Sequence, residues 1–171
     1  QDPAAARTYL PGGRAPRPGQ RHCSPDLARS LRTLAERGPE GFYHGDIAHA
    51  IVATSERYGG FLTLQDLADH TSTWVEPIYA DYRGHRVYEC PPNGHGIAAL
   101  IALNILNEYD LAGLGYSADA LHYKMEAVKL GMTDAARYVA DPEMAQVPVA
   151  GLLSRAYADE RRALIRREGA I

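Results

Sequence analysis

Apolar residues recur at helical spacing over most of the chain and at strand spacing in one short stretch. Leu27, Leu31, Leu34 and Ala35 stand at i, i+4, i+7 and i+8, which predicts an amphipathic helix. Ser24 suits its N-cap, Pro25 fits the first turn where a missing N–H costs nothing, and Gly38 ends it. A second helix follows Gly45, with Ile47, Ala48, Ile51 and Val52 on one side, and stops at Gly59-Gly60. Thr63-Leu64-Gln65-Asp66 has the form of a capping box with Asp in place of Glu, opening a short helix through Leu67.

The period then shifts. Trp74 to Tyr82 and His85 to Cys90 are rich in β-formers and flank Arg83-Gly84. A hairpin is predicted, limited at one end by Pro77 and stopped by Pro91-Pro92. Asn93-Gly94-His95-Gly96 makes a tight turn into a helix with Ile97, Leu100, Ile101, Ile105 and Leu106. Residues 107–117 read as a loop. Ser117 caps a longer helix with Leu121, Met125, Val128 and Met132 on one stripe. Asp141-Pro142 and Val147-Pro148 mark an irregular stretch, and Ser154 caps a last helix through Tyr157, Arg161, Leu164 and Ile165. The expected fold is α+β and helix-rich, about five or six helices around one β-hairpin. Residues 1–22, with Pro3, Pro11, Pro16, Pro18, Gly12, Gly13 and Gly19, read as a loop or linker.

Composition narrows the classes. The chain has 171 residues, 46% apolar and 23% charged, which excludes global disorder and a disulfide scaffold. A net charge of −3 offers no basic field for nucleic acid, and no run of 18 apolar residues spans a membrane. The chain opens with Gln1 and lacks a charged segment followed by an apolar one, so no signal peptide is expected within it and its start reads as a cut. Two cysteines, Cys23 and Cys90, read as buried or idle thiols rather than a bond.

Candidate chemistry is sparse. Gly115-Tyr116-Ser117-Ala118-Asp119 lacks the second glycine of a nucleophile elbow, so Ser117 reads as an N-cap. His44 and His49 are five apart and share no helical face, and Asp46 with His49 supplies only two ligands, so no metal is expected. Gly94-His95-Gly96-Ile97-Ala98-Ala99 matches a dinucleotide fingerprint locally but is not followed by a second strand ending in an acid, so no cofactor is expected. Asn93, Gly94, His95 and Gly96 read first as a backbone device, with alanine costly at either glycine if φ is positive there.

Several segments, taken in order, go further. Gly41-Phe42-Tyr43-His44-Gly45-Asp46-Ile47-Ala48 and Gly59-Gly60 with Leu62-Thr63-Leu64-Gln65-Asp66-Leu67 resemble elements of the γ-glutamyltranspeptidases. So do Trp74-Val75-Glu76-Pro77, Tyr82-Arg83-Gly84 and Val87-Tyr88-Glu89-Cys90-Pro91-Pro92-Asn93-Gly94. Leu103-Asn104-Ile105-Leu106, Glu126-Ala127-Val128-Lys129-Leu130, Asp134, Arg137-Tyr138 and Asp141-Pro142 continue the series. The resemblance implies an N-terminal-nucleophile hydrolase, a γ-glutamyltransferase or glutathione hydrolase whose precursor cuts itself into two subunits.

On that resemblance, residues 23–171 correspond to the later part of the large subunit. The nucleophile is a threonine that begins the small subunit and lies outside these residues. No catalytic residue is carried over to this chain, which is expected to be scaffold and inactive alone. The expected partners are the remainder of its own precursor, above all the small subunit, and glutathione or another γ-glutamyl compound. The hairpin residues Trp74, Val75, Ile78, Val87 and Tyr88 should divide between this chain's helices and that partner, within an αββα sandwich. The family allows secreted, periplasmic or cytoplasmic members. Asn93, Gly94, His95 and Gly96 are weak substrate-proximal candidates. Their sequence departs from the PPPSSGG form of many glutathione-cleaving members, which keeps open an acylase-like branch acting on another amide. A non-catalytic structural or binding module is the alternative of another class.

Overall fold

The structure, a computed structural model, describes residues 2–171. It divides into two compact units, one up to Ser72 and one from Thr73 to Ile171.

The first unit is all helical. α1 (Pro3–Tyr9) lies in the stretch expected to be a loop, and that part of the expectation is corrected. Asp2 accepts the N–H of Ala4 at 2.9 Å and Pro3 opens the helix, while Ala4, Ala5 and Ala6 are strong helix formers. A single 3-10 turn, Pro11–Gly13, follows. α2 (Pro25–Arg37), α3 (Pro39–Tyr43), α4 (Asp46–Arg57) and α5 (Leu64–Ala68) complete the unit. α4 buries Ala48 and Val52, as its spacing predicts. The capping box is present: Thr63 Oγ1 accepts the Asp66 N–H at 3.2 Å, and Asp66 Oδ2 accepts the Thr63 N–H at 2.7 Å.

The second unit packs helices against the hairpin. β1 (Ile78–Tyr82) and β2 (His85–Glu89) pair antiparallel, Ile78 opposite Glu89 and Tyr82 opposite His85. Arg83 (φ 51°) and Gly84 (φ 82°) form the turn, both left-handed as a two-residue hairpin loop requires. α6 (Gly96–Leu106) is apolar on nearly every side and buries Ile97, Ala98, Leu100, Ile101, Ala102, Ile105 and Leu106. Such a helix belongs at the centre of a core.

α7 (Leu111–Leu114) is a short helix within the expected loop, capped by Asp110, whose side chain accepts the Gly113 N–H. α8 (Ala118–Tyr138) lies against α6 through small residues. A Cβ on Gly131 would sit 2.4 Å from the Ala98 carbonyl oxygen, so the two backbones approach as closely as glycine permits. α9 (Val149–Leu152) and α10 (Arg155–Arg162) close the unit. Ser154 caps α10 by accepting the Tyr157 N–H at 3.2 Å.

The helix-rich α+β class is as expected, with extra short helices beyond the long amphipathic ones. Among the described residues, no helix is long and apolar enough to cross a membrane.

Candidate functional site

The candidate turn joins β2 to α6. Pro92 is buried, Asn93, Gly94 and His95 are exposed, and Gly96 begins α6 half-buried. The two prolines end strand pairing, and the apolar run from Ile97 draws the chain at once into the core, so the link is short. His95 caps α6 with its backbone only, its carbonyl accepting the Ala98 N–H at 3.0 Å.

Neither Gly94 nor Gly96 has a positive φ, so a left-handed backbone is not what the turn needs. Space is the constraint at Gly96. A Cβ there would lie 2.9 Å from the Cβ of Glu89 and 2.6 Å from its Oε2, whereas at Gly94 nothing lies within 4 Å. Gly96→Ala is therefore expected to cost about 1–3 kcal/mol, the range for overpacking. Gly94→Ala should stay within about 0.5 kcal/mol, as for an open surface site. Urea denaturation of the two variants checks this, and equal costs would remove the close approach as the cause.

The remaining candidates take structural roles. Ser117 Oγ accepts the Ala120 N–H at 3.2 Å and caps α8. His44 Nε2 lies 3.9 Å from Glu40 Oε1, and Asp46 and His49 are exposed on α4. α6 is followed by α7 and α8 rather than by a strand, so the glycine pattern lacks the rest of a dinucleotide fold. Cys23 and Cys90 are free and exposed.

Three features have contacts or a shape that the motifs do not assign, although Asp134, Glu126 and Lys129 stand in the motif series. Asp134 is 0% exposed on α8 and pairs with Arg161 of α10. Arg161 Nε donates to Asp134 Oδ2 at 3.0 Å, and its Nη2 donates to Oδ1, giving a bidentate fork. That bond holds the Arg161 guanidinium above its usual range, and burial pushes the Tyr157 hydroxyl up. Glu126 is the second buried charge, 3% exposed and bonded to Lys129.

The third is a cleft of about 330 Å³ beside β1, lined in part by Asp81, Asn104, Asn107, Glu108 and Arg155. Several of its polar groups bond one another or nearby backbone, while the buried Nε of Arg162, which also lines it, has no hydrogen-bond partner among the described residues. Arg155 meets Glu108 at 2.6 Å, Asn107 Nδ2 donates to the Asp81 carbonyl at 2.7 Å, and Asn104 Nδ2 donates to the Leu153 carbonyl at 3.1 Å. These bonds tie hairpin, α6 and α9 together.

The stripe of Leu121, Met125, Val128 and Met132 is half-exposed, while α8 turns Ala120, Ala127, Gly131 and Ala135 inward. Trp74, Val75 and Tyr88 are exposed as well, whereas Ile78 packs on the core and Val87 is half-buried.

The family model described as gamma-glutamyltranspeptidase matches residues 1–171. The acylase ACY 1 proenzyme of Pseudomonas sp. (strain SE83) is 41% identical over 172 residues, which cover 99% of this chain and 31% of that protein. The glutathione hydrolase proenzyme of Escherichia coli (strain K12) is 41% identical over 135 residues, covering 78% of this chain and 23% of that protein. The crystal structure of Helicobacter pylori gamma-glutamyltranspeptidase superposes with a TM-score of 0.72 at 27% identity, covering 99% of this chain and 49% of that one. The chain thus spans less than a third of the length of these curated relatives.

Proposed function

Because this chain belongs to the gamma-glutamyltranspeptidase family, we propose that it is the later part of the large subunit of a self-processing amide hydrolase. The parent protein cleaves γ-glutamyl amides and passes the acyl group to water, an amino acid or a peptide. The observation that carries this reading is a family match along the whole chain, together with relatives more than three times its length that are both named as proenzymes.

In this reading a threonine outside these residues begins the small subunit. Its hydroxyl attacks the amide carbonyl while its own α-amine takes the proton. The tetrahedral intermediate collapses, the amine leaves with that proton, and an ester to the threonine remains for water or an acceptor amine to open. Preorganised N–H donors stabilise the oxyanion. The present residues are scaffold for that site. Asn93, Gly94, His95 and Gly96, on the turn into α6, remain this chain's candidates for a substrate-proximal segment, supported by the exposure of the first three.

A second reading is an acylase acting on another amide. It is favoured by 41% identity to the acylase proenzyme along 99% of the chain. Expression of the whole reading frame tests both. Two polypeptides, the smaller beginning with threonine, and turnover of γ-glutamyl-p-nitroanilide support the first. Turnover of glutaryl-p-nitroanilide instead, which differs only in lacking the α-amine, supports the second. A site built to bond that amine rejects the analogue without it by several orders of magnitude. An uncut polypeptide that turns over neither substrate would mean a non-catalytic module.

A further inference from the structure

One face of α8 is a polar ladder. Asp119, His122, Glu126 and Lys129 stand at i, i+3, i+7 and i+10, a single stripe of the helix. All four are bonded to the segment 166–171. The Arg167 guanidinium donates to Asp119 Oδ2 at 2.9 Å. His122 Nε2 lies 2.7 Å from the Arg166 carbonyl oxygen, which can only accept, so this nitrogen carries the proton. The Ile171 N–H donates to Glu126 Oε2 at 2.8 Å, and Lys129 Nζ donates to the Ile171 carbonyl at 2.7 Å. Lys129 also reaches both Glu126 oxygens, at 2.9 and 3.2 Å. Between these anchors the segment folds back through a bridge of Arg166 with Gly169.

Three of these bonds take main-chain atoms of Arg166 and Ile171, so the ladder holds the path of the chain rather than a particular side chain. Glu126 is buried, and a buried carboxylate is costly unless paired. Its partners are the Ile171 N–H first and the Lys129 ammonium second, and together they hold its carboxyl below the usual carboxylate range. A buried carboxylate, with a half-exposed ammonium beside it, thus grips backbone 42 to 45 residues further on.

We propose that Glu126 and Lys129 are positioning residues for precursor self-cleavage. With Asp119 and His122 they fix the direction in which the chain leaves Ile171 toward the cleavage point. The proposal rests on the self-processing reading. Self-cleavage is an intramolecular attack, and its rate depends on how much free chain must be ordered to bring the scissile bond into place. Releasing this anchor lengthens the free segment, and doubling its length alone slows closure roughly threefold. Misdirection of the chain adds to that factor.

The test uses the full-length precursor carrying Glu126→Ala and Lys129→Met together, which removes both partners and leaves no orphaned charge. Hydrogen exchange read by mass spectrometry should show the 166–171 segment protected in the parent and open in the variant. The half-time of self-cleavage, followed on gels, should lengthen, by about threefold for a doubled free segment. Lys129→Arg should restore the rate. Ile105→Val, which trims the core away from the ladder, should lower the melting temperature without slowing cleavage. Fast exchange of 166–171 in the parent would overturn the ladder itself. Lost protection with an unchanged cleavage rate would overturn the positioning role, as would equal slowing by Ile105→Val. A parent precursor that never cleaves would sink the self-processing reading and this role with it, while the exchange result would still report on the ladder.

Discussion

Asp134→Ala is expected to destabilise the second unit by about 3–5 kcal/mol, the cost of breaking a buried ion pair from one side. Asp134 is wholly buried, and both of its oxygens are taken by the Arg161 guanidinium. Alanine leaves that cation against the Tyr157 ring, 5.0 Å from its centroid, with no carboxylate to meet it. The pair also joins α8 to α10 across 27 residues, so its loss loosens two elements at once. Against a total stability of about 5–15 kcal/mol, a loss of this size removes much of the fold.

A comparison within the same unit sharpens the expectation. Arg86 and Asp81 form an equally well-shaped fork at 2.8 and 3.0 Å, but on the exposed hairpin. Asp81→Ala should cost far less, because water screens an exposed pair. Replacing Asp134 and Arg161 together with leucines should recover much of the loss, since no unpaired charge remains. Urea denaturation of the four proteins provides the measurement. Similar small losses at Asp134 and Asp81 would mean that burial does not set the strength of the inner pair.

What the sequence displayed and what it hid follow from the range of each interaction. Ser24, Thr63, Ser117 and Ser154 stand where helices begin, and the hairpin turn carries its own signal in Gly84. These are local features, settled within a few residues of the chain. α1 was masked because the prolines after Tyr9 dominate the composition of the first 22 residues, while Asp2 and three alanines make a short helix before them. α8 was misleading for another reason. Leu121, Met125, Val128 and Met132 form its most apolar stripe, and spacing alone points such a stripe inward. The inward face instead carries Ala120, Ala127, Gly131 and Ala135 with Leu130, and close approach to α6 demands a small residue at Gly131. The buried charges are long-range by nature. Asp134 finds Arg161 and Glu126 finds Ile171 only after α10 has returned to α8, and no local pattern announces either meeting. The candidate turn at Asn93 to Gly96 was visible as a turn, but the need for glycine at one position and not the other lies in the Glu89 side chain of the preceding strand.

Prepared by themselves, residues 1–171 are expected to release no p-nitroaniline from γ-glutamyl-p-nitroanilide and to associate with one another. The first half follows from the proposed chemistry, in which the attacking threonine and its α-amine belong to the small subunit. Removing the nucleophile removes the acyl-enzyme route as a whole, so the expected loss is complete rather than partial. The second half follows from surface. Along the hairpin and the residues before it, Trp74, Val75, Tyr79 and Tyr88 are exposed, and along α8 so are Leu121, Met125, Val128 and Met132. Among the described residues the sheet has two strands, which leaves unpaired edges of the kind that recruit further strands. Apolar surface of this sort, where it is contiguous, is covered by a partner in proteins that remain dispersed. On the proposed reading that partner is the remainder of the precursor, and its co-expression should give both dispersed material and turnover. Sedimentation velocity over a tenfold concentration range, with dye binding, reads the association, and release of p-nitroaniline reads the activity. A strictly monomeric species with little dye binding and a cooperative melt would make the chain a self-contained domain. Turnover by a preparation shown by intact mass to hold only these residues would place the nucleophile within them and remove the basis for calling them scaffold.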